Sequence, residues 1–236
     1  MPKSVSQFGE DLLVLEFFEG KHEGFFIEVG ANDPVKFSQT WLLEQHGWRG
    51  ALVEPLAEKC DRLRAGRPGS RVFQAAVGAP EDRGETTLHV TADDMFSSMA
   101  VRGQGPAKMA CETVRVITLD DVLVELGWPE LDFVSIDVEG FELAVLRGFS
   151  LERVRPKLML LEDHLKDLRL HRHVWQRGYR LVKRTSCNNW YMPAGQSLPS
   201  TGAAERFALR RRVWFNTPLA VLRGKLRLLR RQFSVK

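Results

Sequence analysis

The chain has 236 residues, 44% hydrophobic and 27% charged, with a net charge of +4. That composition supports one sizeable core and argues against a disordered or fibrous chain. Cys60, Cys111 and Cys187 lie far apart with no Cys-x-x-Cys pair, which argues against a disulfide framework or a zinc finger and favours a reducing compartment.

From the N-terminus, residues 1–7 lack the apolar segment of a signal peptide, and no run of about 18 apolar residues occurs, so the expected location is the cytoplasm. Ser6 reads as the N-cap of a helix to Glu19, with Phe8, Leu12 and Leu15 at helical spacing and Gly20 closing it. Residues 24–29 form an apolar strand stopping at Gly30. A helix over 38–46 ends at Gly47, a second strand covers 50–54, and Pro55 opens a helix as its first residue. A third strand is predicted at 71–77, followed by strand-like runs at 86–90 and 112–116 and a helix over 119–126 capped by Thr118. Strand 131–137, helix 141–147, strand 157–162 and helix 165–177 continue the alternation, and strands at 179–183 and 189–192 complete the body. Repeated strand–helix–strand units with apolar strands predict an α/β fold: a mainly parallel, Rossmann-like sheet covered by helices on both faces.

Charge is divided along the chain. From Ala204 onward there are ten Lys/Arg against one acid, Glu205, a net +9, which leaves −5 of the +4 total on the first 203 residues. The organisation expected is a body over 1–193, a Pro/Gly/Ser linker over 194–203 and a basic amphipathic tail over 204–236. In the tail, Thr217-Pro218 reads as the cap and first residue of a helix with Leu219, Leu222, Leu226, Leu229 and Phe233 on one face. Such a helix suits a peripheral membrane contact, at the inner face of the membrane, or the arm of a homo-oligomer.

In an open parallel sheet, ligands bind at the carboxyl ends of the strands where strand order reverses. The first such turn is Glu28-Val29-Gly30-Ala31-Asn32-Asp33. It lacks the glycines of a dinucleotide-binding loop, and an acid at Glu28 is unsuited to pyrophosphate. Glu54 follows Gly30 at about the spacing of an acid that accepts hydrogen bonds from a ribose diol, and Ala75-Ala76 would leave flat space for an adenine. Each has a structural alternative: a tight turn, a solvated strand end, ordinary core. In register on three successive strands they point to a nucleoside ligand.

The fourth core strand ends in Asp137-Val138-Glu139-Gly140-Phe141-Glu142. Asp137 and Glu139 suit general-base work or cation binding, whereas Glu142 suits the acid-rich start of a helix. The fifth delivers Glu162-Asp163-His164, so His164 is a candidate base and Asp137, Glu162 and Asp163 are candidate ligands for a divalent metal.

Over roughly residues 4–193, the ordered motifs Ser6-Gln7-Phe8-Gly9-Glu10-Asp11, Phe26 to Asn32, Gly47-Trp48-Arg49-Gly50, Val53-Glu54-Pro55, Ile136 to Glu142 and Leu146-Arg147-Gly148 resemble the FkbM family of methyltransferases. The resemblance implies transfer of the methyl of S-adenosylmethionine to a hydroxyl of a sugar, glycan, glycolipid or related product. Matched residue by residue, it implies a cofactor turn at Glu28, Gly30 and Asn32 and a ribose-binding acid at Glu54, with Gln7 and Asp11 over the cofactor; Ala31, Ala76 and Asp137 complete the candidate cofactor-binding set. It places Asp137 and Glu139 toward donor methyl and acceptor, and Ser97-Ser98 on the acceptor side. Asp33-Pro34 departs from a more glycine-rich turn and predicts a stiffer loop. Two other readings stay open: a non-catalytic nucleoside-binding module docked to an anionic partner, and an RNA methyltransferase. The acidic body and the missing Asn-Pro-Pro-Tyr type of motif disfavour a nucleic-acid partner.

Overall fold

The computed structural model describes residues 2–19, 21–90, 110–163, 168–196, 198, 201–219 and 222. Its strands in chain order are β1 (Phe25–Val29), β2 (Arg49–Glu54), β3 (Ser70–Gln74), β4 (Ala76–Val77), β5 (Gly84–Val90), β6 (Ala110–Ile117), β7 (Phe133–Ile136), β8 (Leu158–Glu162), β9 (Tyr179–Thr185) and β10 (Asn188–Pro193). The helices are α1 (Glu10–Phe17), α2 (Trp41–Gln45), α3 (Ala57–Gly66), α4 (Leu119–Leu126), α5 (Glu142–Arg147), α6 (Leu151–Val154), α7 (Arg169–Gln176) and α8 (Ala203–Arg211).

Seven strands form one sheet in the order β3-β2-β1-β7-β8-β10-β9. The first five pair in parallel, and β10 enters antiparallel to both β8 and β9. The expected Rossmann-like architecture is present, and its strand order reverses between β1 and β7. Alternation along the strands feeds two cores: Ile27, Val29, Val134 and Ile136 pack on one face, Phe26, Leu52, Phe133 and Leu160 on the other. Both faces are apolar because helices cover both. Beside this sheet, β4, β6 and β5 make a small second one.

Several predicted boundaries move, each for a local reason. α1 starts at Glu10 rather than after Ser6, because the Ser6 hydroxyl donates to Asp11 Oδ1 (2.8 Å) and the Val5 amide to Oδ2 (2.7 Å), holding the preceding chain in a loop. Pro55 does not open α3: Glu54 Oε1 accepts from the Leu56 amide (3.1 Å), Leu56 stays extended, and the helix begins at Ala57. The single strand expected over 71–77 is two, since Ala75 donates its amide to the Glu54 carbonyl (3.1 Å) and β4 then joins β6 in the smaller sheet. Thr118 caps α4 as expected, accepting from the Asp121 amide (3.2 Å).

The C-terminal segment lies on the body. Leu198, Thr201, Leu209, Val213 and Thr217 are buried, and Lys183 of β9 pairs with Glu205 of α8 (3.6 Å). Thr217-Pro218 is not a helix start. A π turn over Arg212–Asn216 carries the helix straight from α8 through Thr217, whose amide donates to the Arg212 carbonyl five residues back. Pro218 lacks an amide and crowds the preceding turn, and the widened turn accommodates it without a break. Among the described residues no helix is long and apolar enough to cross a membrane.

Candidate functional site

A cavity of about 360 Å³ opens where β1 and β7 diverge, at the carboxyl ends of the parallel strands. This is the position that the reversal of strand order creates for ligands.

Gly30 joins the two halves of the site. It has φ +83°, and a Cβ there would lie 1.8 Å from the backbone oxygen of Asp137. The backbone of the β1 turn therefore sits directly on the end of β7. The glycine requirement comes from the neighbouring strand as well as from room for a ligand. Asn32, also left-handed at φ 51°, donates its amide to Glu54 Oε2 (3.0 Å).

Glu54 is buried at the cavity wall with one backbone amide on each oxygen, from Asn32 and Leu56. A carboxylate oxygen has two lone pairs, so each retains an acceptor for a diol. Burial raises the Glu54 pKa, opposed by those amides and by Lys59, which also lines the cavity. Ala75, Ala76, Val77 and Leu88 form an apolar stretch of the wall beyond it. A nucleoside fits this set of groups: a carboxylate with lone pairs left for a diol and an apolar stretch of wall for a base.

At the β7 and β8 ends, carboxylate oxygens of Asp137, Glu139 and Glu162 lie within 4.8 Å of one another. Burial first, then the charge and hydrogen bond of Glu162, then Glu139 and Glu142, push Asp137 far above the usual carboxylate range. Glu162 is raised as well, by burial and then by Glu139. Two carboxylates this close, each disfavoured as an anion by its surroundings and by the other, favour a shared proton over two charges. Glu142 accepts from the Gly140 (3.0 Å) and Val138 (3.2 Å) amides and so clamps the turn carrying Glu139, the structural role expected of it.

Other predicted residues go elsewhere. Glu28 borders the cavity, but its carboxylate is already engaged: Oε2 accepts from Thr40 Oγ1 (2.5 Å) and Ser38 Oγ (2.9 Å), and Oε1 from the Gln39 amide (3.0 Å). It pins the 38–40 segment beneath the β1 turn. Asp11 does not line the cavity; it closes the N-terminal loop described above, while Gln7 does reach the wall. Asp163 does not join the acidic cluster: its Oδ2 accepts from Asn189 Nδ2 (3.0 Å) and lies 2.9 Å from His171 Nε2. The convergent set is therefore Asp137, Glu139 and Glu162, which offers hard oxygen ligands of the kind a divalent cation takes. Ala31 and Ala76 line the cavity. His164, Ser97 and Ser98 lie outside the described residues.

Sequence reasoning missed Lys36, Phe37, Gln39, Lys59, Phe141, Cys187 and Asn188, all on the cavity wall. Phe141 lay within the strand-end motif after Asp137, and Cys187 and Asn188 in the turn between two predicted strands; the others had no local signal. It also missed Arg67, fully buried behind the β1 turn. Arg67 donates to Glu44 (2.7 Å), the Pro34 carbonyl (3.2 Å), Ser38 (3.2 Å) and Thr40 (3.1 Å), and lies 3.9 Å from Glu28.

The model of one protein family, described as the methyltransferase FkbM domain, matches residues 28–181. A search of curated proteins finds no match. Among solved structures, a TehB-like SAM-dependent methyltransferase from Corynebacterium glutamicum is similar at 9% identity over 80% of this chain and 89% of its own, TM-score 0.42. A precorrin-6y C5,15-methyltransferase from Geobacter metallireducens matches at 12% identity over 84% and 93%, TM-score 0.42. The N-terminal domain of human METTL16, solved with SAH, matches at 13% identity over 78% and 65%, TM-score 0.41. Likenesses this distant say nothing about the acceptor.

Proposed function

The chain belongs to the FkbM methyltransferase family, whose methyl donor is S-adenosylmethionine, and from that premise we propose that it methylates a hydroxyl of a sugar, glycan, glycolipid or related polyol. The observation that carries this reading is the carboxylate cluster of Asp137, Glu139 and Glu162 on the wall of the cavity that Glu54 also lines.

The cofactor supplies an electrophilic methyl on a sulfonium. Glu54 would hold the ribose diol, and Ala75, Ala76, Val77 and Leu88 the adenine. The chain's remaining work is alignment of a hydroxyl and removal of its proton. The raised Asp137–Glu162 pair suits that second task, because a carboxylate whose affinity for a proton approaches neutrality is a better base than an ordinary one. Glu139 and the pair can accept hydrogen bonds from a polyol, while their charge repels a phosphodiester. That disfavours RNA as acceptor.

The decisive experiment has two arms. Glu54→Ala is expected to weaken S-adenosylmethionine binding by about ten-fold or more, the scale of hydrogen bonds to a charged acceptor, as read by calorimetry. Glu139→Gln is expected to keep that binding, and both Glu139→Gln and Asp137→Asn to lower turnover on a hydroxylated acceptor found by mass spectrometry of glycans and lipids from cells with and without the gene. Methyl incorporation into nitrogen or into RNA instead would overturn the hydroxyl reading.

A further inference from the structure

The outer face of the C-terminal helix carries apolar side chains that its packing does not use. The inner line is Leu209, Val213 and Thr217, all buried, and the extra residue in the π turn keeps these three in one row along β9. On the outer side Phe207 is 69% exposed and Phe215 66%, and Leu219 and Leu222 continue the exposed series. Trp214 and Trp175 of α7 meet edge to face at 6.4 Å and are both partly exposed, joining the two helices into one patch. Arg180 lies over the Trp175 ring.

Exposed cations share this surface. Arg210, Arg211 and Arg212 are exposed between Phe207 and Phe215, and Arg172 is exposed on α7. Residues 223–236 add six Lys/Arg and no acid to the sequence that follows. The first 203 residues are net negative, so the positive charge belongs to this end of the molecule. Lone exposed apolar residues are ordinary, whereas a row of them interleaved with arginines is not.

We propose that α8, its π turn and the adjoining face of α7 form a surface that binds a bilayer of anionic phospholipid, lying on it without crossing it. The charge complementarity selects this occupant. A second copy of the chain would bring the same arginines against one another. A nucleic acid would use the cations and leave Phe207, Phe215, Leu219 and Leu222 in water. An interface of anionic headgroups over acyl chains satisfies both sets of side chains, with Trp175 and Trp214 at the boundary where such rings concentrate. This surface is independent of the methyl-transfer reading, and its test reads binding rather than turnover.

The full chain is sedimented with phosphatidylcholine vesicles with and without phosphatidylglycerol. Binding is expected only to the anionic vesicles and is expected to fall as salt rises. The triple substitution Arg210→Gln, Arg211→Gln, Arg212→Gln is expected to weaken it on the order of a hundred-fold, about five-fold per cation. The double substitution Phe207→Ser, Phe215→Ser is expected to cost a similar factor. All five side chains are exposed, so thermal midpoints should stay at the wild-type value. Should a variant unfold, the salt titration of the wild-type chain still decides: salt-insensitive binding overturns the proposal. So does equal binding to neutral vesicles. Light scattering that shows a dimer broken by the phenylalanine substitutions, with no vesicle binding, assigns the face to self-association and overturns it too. Binding of a single-stranded oligonucleotide in place of vesicles has the same consequence.

Discussion

Gly30→Ala isolates how closely the β1 turn and the β7 end depend on one another. The added methyl would fall 1.8 Å from the Asp137 carbonyl oxygen and 3.0 Å from its carbon. Both contacts are with backbone, so no rotamer change can relieve them, and the strands must part by roughly an ångström before the first becomes tolerable. The left-handed φ of +83° adds about 1–2 kcal/mol for any residue with a Cβ. Parting the strands strains the Asp137 amide bond to the Val29 carbonyl (3.0 Å) and the Gly30 amide bond to the Val53 carbonyl (2.9 Å), each worth about 1 kcal/mol. The expected loss is about 3–4 kcal/mol, which for a chain of this length lowers the thermal midpoint by about 6–16 °C. Thermal unfolding followed by circular dichroism without cofactor measures it, and calorimetry with S-adenosylmethionine should show weakened binding in the same variant. A midpoint within about 2 °C of wild type would refute the strand-contact argument, because nothing flexible is available to absorb the clash.

Two further predictions concern buried charge. Arg67→Met should destabilise the chain by about 3–5 kcal/mol in chemical denaturation, since it strands Glu44 and Glu28 in the interior, and Arg67→Met combined with Glu44→Gln should recover part of that loss. Asp137 makes stability depend on pH: its folded pKa is raised, so the folded state binds the proton more tightly than the unfolded state. Its contribution is fully present below the ordinary carboxylate range and is lost as pH rises toward the folded value. The midpoint of Asp137→Asn relative to wild type should therefore climb from mildly acidic to mildly alkaline pH, and a difference flat with pH would show that Asp137 is ionised throughout.

Local order alone made much of this protein readable. Apolar runs closed by Gly30, Gly47 and Gly148 mark where chain direction turns, and Glu54, Asp137 and Glu139 could be placed at strand ends because a parallel sheet puts every carboxyl end on one edge. What folding added was the direction in which side chains point and the partners they meet. Glu28 stands in the cofactor turn by position, yet three donors at 38–40 draw its carboxylate beneath that turn. Asp163 is next to Glu162 in the chain, but it lies just past the end of β8, where Asn189 donates to it and His171 sits beside it. Arg67 reads as a surface residue near the end of a helix, and only the convergence of Pro34, Ser38, Thr40 and Glu44 makes its burial tolerable. Periodicity and spacing are properties of neighbours in the chain, so they report elements and strand ends. Burial of a charge, the pairing of β10 and the crowding of Gly30 arise between segments about 25 to over 100 residues apart, and no local pattern encodes them.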